Sequence, residues 1–307
     1  KIHPTSESPL KVQIPSVARL DKGFMAMMRK WGVKLVKEIQ AQTAGSPAQT
    51  VSAALSKKDN PRAKIDVSSP IEAEERHVDA IWSKMKVRMQ ISGYFGGKIL
   101  SAMDELYNYL KDSHKNDGLM DKGYHRFSHS VEVADLAFET AAKKGYTYKA
   151  ALEMVVAGLL HDYDSRQPYQ TPKVANTIIK LRNDEKLNQL IKELGLDVER
   201  IILIIRGTEF PMTEEQLNAT QGQLNEIKNK LLLKQTKEEI KFLALIDKSA
   251  TYIHPALKPE DSEVRVRELA REMGLREDVM LRGTPDFFKT FVGKDIKSLA
   301  PVLGREY

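Results

Sequence analysis

The feature that most constrains the fold is a helical periodicity of apolar residues, which begins near Ser69 and continues almost to the end of this 307-residue chain. Ser69 and Pro70, followed by Glu72, combine a capping side chain, a first-turn proline and an acid near the positive end of the helix dipole. Helices are predicted over 80–112, 126–144, 147–162, 172–194, 197–207, 213–233, 236–252, 261–273 and 284–300. β-strand signals are nearly absent, because even IILIIRG at 201–207 continues the helical spacing of the preceding residues. The sequence therefore predicts an all-α fold.

The first 70 residues differ from the rest of the chain. Residues 17–43 have apolar side chains at helical spacing, which predicts an amphipathic helix that docks on the main body, with a membrane-surface helix as the alternative. Residues 44–70 are rich in Ser, Pro, Ala and Lys and have little periodicity, which is typical of a linker or extended arm. We predict an accessory helix and linker at 1–70 and the main helical domain at 71–307.

Composition narrows the possible chemistry. The chain has no cysteine, which excludes disulfides, zinc–thiolate sites and cysteine nucleophiles and leaves His, Asp and Glu as metal ligands. The formal charge of +6 is scattered, without the basic stripe and interleaved aromatics of a nucleic-acid site. No nucleic-acid partner is therefore expected, whereas a mild positive field suits a small anionic substrate.

Hydropathy bears on the location of the protein. No stretch of the sequence approaches the roughly 18 consecutive apolar residues that a membrane helix requires. We therefore expect a soluble protein without a transmembrane segment and favour the cytoplasm. Because the chain begins at Lys1 without a methionine, a leader could have been removed. The oligomeric state is left open.

Histidines and aspartates occur in three segments that could form one site. HRFSH at 125–129 places two of the seven histidines one helical turn apart, on one face if the segment is helical. An apolar helix at 150–160 leads directly into His161-Asp162. Asp247 lies alone in an apolar helix, where a carboxylate is costly unless it is paired or metal-bound. The alternatives are hydrogen-bonded histidines at the edge of the core and an ion pair of Asp247 with Lys248 or an arginine.

Together these segments supply two nitrogen and two carboxylate ligands, namely His129, His161, Asp162 and Asp247. A mixed nitrogen and oxygen set without sulfur suits one or two divalent ions of Mn, Fe, Zn or Mg, with water in the open positions. Such a site polarises a phosphoryl oxygen and generates hydroxide near neutral pH, and a second ion can bridge through a shared aspartate.

The order H…HD…D on an all-helical chain resembles the HD-domain superfamily of metal-dependent phosphohydrolases. YHRFSHSVEVA at 124–134 is similar to the Y-H-N-x-x-H-A-x-D-V signature of the class I cyclic-nucleotide phosphodiesterases. HDYD at 161–164 resembles their H-D-x-D-H-P-G, RGTEF at 206–210 their A-T-D-M, and LIDKSA at 245–250 their A-D-L-S. The similarity covers about residues 90–300 and implies an HD-domain helical bundle with a catalytic function at 71–307.

The resemblance also implies roles for individual residues. Carried over residue by residue, it makes His125 the general acid that protonates the leaving oxygen. It makes metal ligands of His129, His161, Asp162 and Asp247, and Asp162 is also counted among the catalytic residues.

The chain departs from the phosphodiesterase pattern at several positions. Arg126 stands where that family has asparagine, and Ser165 stands where it has the last histidine of H-D-x-D-H-P-G. No glutamine follows Gln235, although the family holds the purine with a late glutamine. The resemblance therefore supports the metal chemistry but does not extend to recognition of a cyclic purine.

Four further residues are candidates for substrate binding. The guanidinium groups of Arg126 and Arg166 could bind phosphate or form structural ion pairs. Asp164 lies beside the His-Asp pair, and Phe288 could stack on a base or belong to the core. The leading expectation is a metal-dependent phosphohydrolase that acts on a cyclic nucleotide or a related phosphodiester. The alternatives are an HD hydrolase of an alarmone, a deoxynucleoside triphosphate or a nucleoside monophosphate, and a non-catalytic HD-domain sensor or scaffold.

Overall fold

The computed structural model of the protein describes residues 69–120, 123–164, 173–209, 214–287 and 289. Within these ranges every regular element is a helix, which confirms the all-α prediction. The helices are α1 (Pro70–Ile91), α2 (Gly97–Asn116), α3 (Phe127–Lys143), α4 (Tyr148–Leu160), α5 (Lys173–Asn183), α6 (Glu185–Glu193), α7 (Val198–Ile205), α8 (Glu214–Glu226), α9 (Lys230–Ile253), α10 (Pro259–Glu272) and α11 (Glu277–Phe287), with a 3₁₀ turn at Arg206–Thr208. The predicted N-terminal helix and linker lie outside the described residues, so the domain division at 70 stays a prediction.

The start of α1 is as predicted. The Ser69 hydroxyl accepts a hydrogen bond from the Glu72 amide (3.2 Å), and the Glu72 carboxylate accepts one from the Ser69 amide (3.0 Å). This reciprocal capping box satisfies two backbone donors that the first turn of a helix leaves without partners.

Several predicted helix boundaries were wrong, and capping explains why. The run 80–112 is divided between α1 and α2 by a turn at Gly93, which has a φ of +69°. The run 172–194 is divided at Asp184, whose side chain caps α6. Periodicity predicted a break between helices near 234, but α9 already begins after Asn229, whose side chain caps it. Periodicity continues across such breaks because the helices on both sides bury apolar faces, so it does not locate the caps.

The centre of the bundle is the pair α3 and α4. A Cβ atom added at Gly158 of α4 would lie 2.8 Å from the Cα of Ala134 on α3, so only glycine permits this close approach. All residues of α4 from Ala150 to Leu160 are buried, and α7 and α9 pack against this helix. The continuous apolar character of α4 therefore reflects its central position. None of the described helices combines the length and the apolarity needed to cross a membrane.

Candidate metal centre

Three separate parts of the chain contribute to a buried cluster of candidate ligand residues. His129 lies in the first turn of α3, His161 and Asp162 directly follow the end of α4, and Asp247 lies within α9. One ligand atom from each of the four side chains lies within 4.8 Å of all the others. The residues predicted as ligands are therefore together, in a group that could hold a metal ion. The identity of the metal and the number of ions stay predictions.

The contacts within this cluster join nitrogen and oxygen atoms. Nε2 of His129 is 2.9 Å from Oδ1 of Asp247 and 3.9 Å from Oδ2 of Asp162. Nε2 of His161 is 3.2 Å from Oδ1 of Asp247 and 3.1 Å from Oδ2 of Asp162. Both imidazoles thus direct the same nitrogen towards the two carboxylates, as a shared ion would require.

The two histidines differ in their electrostatic surroundings. Burial lowers the pKa of His129 below its ordinary value, although Asp247 opposes this effect. Burial also acts to lower the pKa of His161, but the charges of Asp162 and Asp247 prevail and raise it to about 10. Burial would raise the pKa of Asp247, but its contacts with His161 and His129 hold it well below the usual range. Without metal, the two carboxylates therefore favour the protonated form of His161.

The orientation of His161 fits a metal ligand. Its Nδ1 donates a hydrogen bond to the carbonyl of Gly158 (2.8 Å), which fixes the ring and leaves Nε2 facing the carboxylates. Nε2 is buried and close to two oxygens but has hydrogen-bonding geometry with neither. A ligand histidine commonly donates its other nitrogen to a carbonyl in this way, so the residues present suit a divalent metal.

Asp247 is the most exposed residue of the cluster. The side chains of His129 and His161 are 0% and 1% exposed, whereas the side chain of Asp247 is 18% exposed. A ligand from solvent would therefore approach along this carboxylate.

His125 does not lie on the helix of His129, contrary to the prediction of one helical turn from 125 to 129. Helix α3 begins at Phe127, and Arg126, its N-cap, has an extended backbone with a ψ of 168°. The carboxylate of Glu272 explains the difference, because it accepts hydrogen bonds from the backbone amides of Tyr124 (2.5 Å) and His125 (3.4 Å). These amides thus find partners outside a helix. The imidazoles of His125 and His129 nevertheless lie near each other, with ring centroids 6.2 Å apart.

Glu272 also orients the His125 side chain. Nδ1 of His125 donates to Oε2 of Glu272 at 2.6 Å. Gly123 makes room for the carboxylate: its φ is +75°, and an added Cβ atom would lie 2.0 Å from Oε1 of Glu272. Sequence reasoning missed Glu272, because it is one acid among many on the charged helix α10. Only the contact from α10 to the 123–125 segment distinguishes it from the other acids.

The remaining substrate-binding candidates have different outcomes. Arg126 forms an ion pair with Glu268 of α10, and its Nε donates to the carbonyl of Gly123 (2.9 Å), so the guanidinium is engaged within the chain. Asp164 is buried two residues after Asp162 and borders an open depression of about 730 Å³ between the end of α4 and helix α5. Substrate binding by either residue stays a prediction. The other two candidates, Arg166 and Phe288, lie outside the described residues.

The described part of the segment RGTEF, residues 206–209, contacts two neighbouring helices. Gly207 lies against α9, where an added Cβ atom would be 2.8 Å from the carbonyl oxygen of Ile240. The carboxylate of Glu209 accepts a hydrogen bond from the Val174 amide at the start of α5 (3.0 Å). In turn, Thr177 of α5 lies 3.4 Å from the His161 carbonyl, to which its hydroxyl donates. The segment therefore supports α5, and through it the residues after α4.

Comparisons with known proteins do not place the chain in a family: no protein-family model, no curated protein and no solved structure matches it.

Proposed function

We propose that this protein is a metal-dependent phosphohydrolase. The observation that supports the proposal is the convergence of His129, His161, Asp162 and Asp247 in one buried group, with the His125 imidazole beside it. Two imidazoles and two carboxylates buried together are costly to retain in a fold unless they serve a purpose. The resemblance to HD-domain phosphohydrolases suggests what that purpose is.

The residues have two different roles in the proposed reaction, because four would hold a metal ion and one would transfer a proton. His129, His161, Asp162 and Asp247 would hold a divalent ion. Such an ion, when bound, would polarise a phosphoryl oxygen and lower the pKa of a coordinated water. His125 donates from Nδ1 to Glu272, so a proton for the leaving oxygen would come from Nε2. Glu272 fixes the orientation of the ring during that transfer.

The favoured substrate is a phosphodiester such as a cyclic nucleotide. Breaking a diester requires protonation of an alkoxide leaving group, and His125 is suited to that step. The chain has no glutamine after Gln235, so we do not assign a purine specificity.

A substrate panel tests the proposal. The protein is loaded in turn with Mn²⁺, Mg²⁺, Zn²⁺ and Fe²⁺ and assayed with cyclic mononucleotides, cyclic dinucleotides, alarmones, and nucleoside mono- and triphosphates. Metal-dependent turnover of a diester, lost in Asp247→Ala, is the expected result. Turnover of alarmones or of mono- or triphosphates alone would replace the diester assignment. Binding of metal without turnover of any compound would favour a sensor or scaffold.

A further inference from the structure

Away from the candidate metal centre, one arginine joins α4, α7 and α9 through two buried carboxylates. Arg200 of α7 donates from Nε to Glu153 of α4 (2.7 Å) and from Nη2 to Glu239 of α9 (2.5 Å). Its Nη1 donates to the hydroxyl of Thr236 on α9 (2.6 Å). We call Glu153, Arg200, Thr236 and Glu239 the Arg200 cluster.

The charges of the Arg200 cluster do not balance if both carboxyl groups are ionised. The side chains of Glu153 and Glu239 are 3% and 0% exposed, and the guanidinium of Arg200 supplies a single positive charge. One negative charge would then be buried without compensation, which is expensive in a medium of low polarity. A bound proton removes this cost.

Two described neighbours of the cluster, Gln235 and Tyr146, carry no positive charge. Gln235, one turn earlier on α9, donates from its neutral amide to Oε1 of Glu239 (2.7 Å). Tyr146, in the connection between α3 and α4, donates to Glu238, which adds negative charge nearby. Oε1 of Glu153 is buried and has no hydrogen-bond partner among the described residues. Two acidic groups therefore compete for one guanidinium.

We propose that the Arg200 cluster is a proton-binding site, in which Glu239 holds one proton in the folded protein and releases it as the pH rises. Loss of the proton leaves an uncompensated charge where α4, α7 and α9 meet, so the junction weakens as the pH rises. The proposal does not depend on the proposed phosphohydrolase function.

The electrostatics of Glu239 agree with this geometry. Burial raises the pKa of Glu239 from 4.5 to about 7, against the opposing effects of Arg200 and Gln235, and the charge of Glu153 contributes to the rise. An unfolded chain loses this proton near pH 4.5, whereas the folded chain keeps it up to about pH 7. The folded state thus binds more protons in this window, and its stability falls as the pH rises from about 4.5 to about 7. Above that range the contribution is constant.

Unfolding of the full chain at several pH values tests the proposal. Glu239→Gln imitates the protonated carboxyl group, and Glu238→Gln, at the next position of α9, is the matched control. Thermal unfolding midpoints are measured between pH 5 and pH 9 in the presence of a chelator, so that metal occupancy does not change with pH. We expect the midpoint of Glu239→Gln to rise relative to wild type as the pH increases, while Glu238→Gln follows wild type. A difference between Glu239→Gln and wild type that is the same at every pH would overturn the proposal.

Two further measurements keep the test decisive if Glu239→Gln does not fold. Glu153→Gln neutralises the same cluster and is expected to show the same rise relative to wild type. In the wild-type protein, ¹³C NMR of glutamate-labelled side chains should reveal a carboxyl group that titrates above pH 6. The absence of such a carboxyl group from the wild-type spectra would overturn the proposal whatever the variants do.

Discussion

The largely buried carboxylate of Asp247 requires compensating positive charge from the groups around it. Asp247 lies in the C-terminal half of α9, between the buried residues Ile246 and Ser249, and its carboxylate contacts two imidazoles. In the absence of metal, Asp162 and Asp247 favour a proton on His161, which would compensate part of their negative charge. A divalent cation would displace that proton, so metal affinity is expected to increase with pH.

Replacement of Asp247 by alanine should abolish metal retention. The substitution removes a carboxylate oxygen that contacts both histidines. Metal affinity should therefore fall by more than the roughly 10- to 100-fold that is typical when a residue beside a metal ligand is lost. Metal per chain is measured by elemental analysis after dialysis, with circular dichroism as the check on folding. Glu238→Ala changes a carboxylate on the same helix outside the cluster and should retain the metal. If Asp247→Ala binds metal at the wild-type stoichiometry, Asp247 is not a ligand.

His125→Ala tests the role of the imidazole beside the cluster, and this prediction depends on the proposed function. General-acid catalysis contributes typically about 10²- to 10⁴-fold, so kcat should fall by that factor while the metal content stays unchanged. The loss should be smaller with nitrophenyl esters, because their leaving groups need no proton. Glu272→Gln keeps the size of the side chain but weakens its hydrogen bond with Nδ1 of His125. It should therefore lower kcat by a smaller factor, again less with nitrophenyl esters.

The structural alternative for His125 predicts something else. If the residue only stabilises the start of α3, its replacement should reduce the unfolding midpoint and lower kcat equally for all esters. Loss of metal together with activity would likewise exclude the general-acid role.

At the scale of single residues, the sequence was most informative where a residue type conflicted with its local pattern. Asp247 in an apolar helix and His161-Asp162 at the end of one are such conflicts, and all three residues belong to the cluster. Glu272 shows no conflict with its charged helix, so only the folded structure reveals its contact with His125. Interactions between residues 147 positions apart leave no local signature in one sequence.

Among the helices, the contact of α3 with α4 positions most of the cluster. Gly158 lets the two backbones approach, and its carbonyl also accepts the hydrogen bond that orients His161. The same glycine thus determines both a packing distance and the orientation of the His161 ring, a candidate ligand. The sequence predicted both helices, but not this approach, because a glycine in an apolar helix does not identify its neighbour.

Gly158→Ala should separate these helices. The added Cβ atom would be 2.8 and 2.9 Å from backbone atoms of Ala134, so we expect the free energy of unfolding to fall by about 1–3 kcal/mol, as in other overpacked cores. Gly222→Ala in α8 is the matched control, since nothing lies within 4 Å of the added Cβ atom. Because alanine has a higher helix propensity than glycine, Gly222→Ala should raise the free energy of unfolding by about 0.5–1 kcal/mol.

Urea unfolding at constant pH measures both glycine variants. Metal affinity is measured in parallel, and we expect Gly158→Ala to weaken it, because a shift of the Gly158 carbonyl releases the His161 ring. Equal stability of Gly158→Ala and Gly222→Ala would show that α3 and α4 separate without cost. In that case the close approach would not be what positions His161.

For the whole molecule, the candidate centre depends on contacts between distant parts of the chain. His129 and Asp247 are 118 residues apart in sequence and 2.9 Å apart in space. The four residues of the candidate centre, together with His125 and Glu272, all lie between residues 125 and 272. A metal bound only by the folded arrangement would therefore stabilise the complete bundle, with an effect that increases with free metal concentration.

Deletion of residues 1–65 is the corresponding test at this scale. This segment contains one histidine, His3, and no compact group of acids, so we expect it to contribute no ligand. The truncated protein retains the capping box of Ser69 and Glu72 at the start of α1. We therefore expect unchanged metal stoichiometry and a circular dichroism spectrum in which the helices from α1 onward are retained. Stability, oligomeric state or regulation can change. Metal per chain and unfolding midpoints, each with and without added metal, are compared with those of the full chain. A truncated protein that folds cooperatively but no longer binds metal would mean that the first 65 residues complete the centre, and that the division of the chain near residue 70 is wrong.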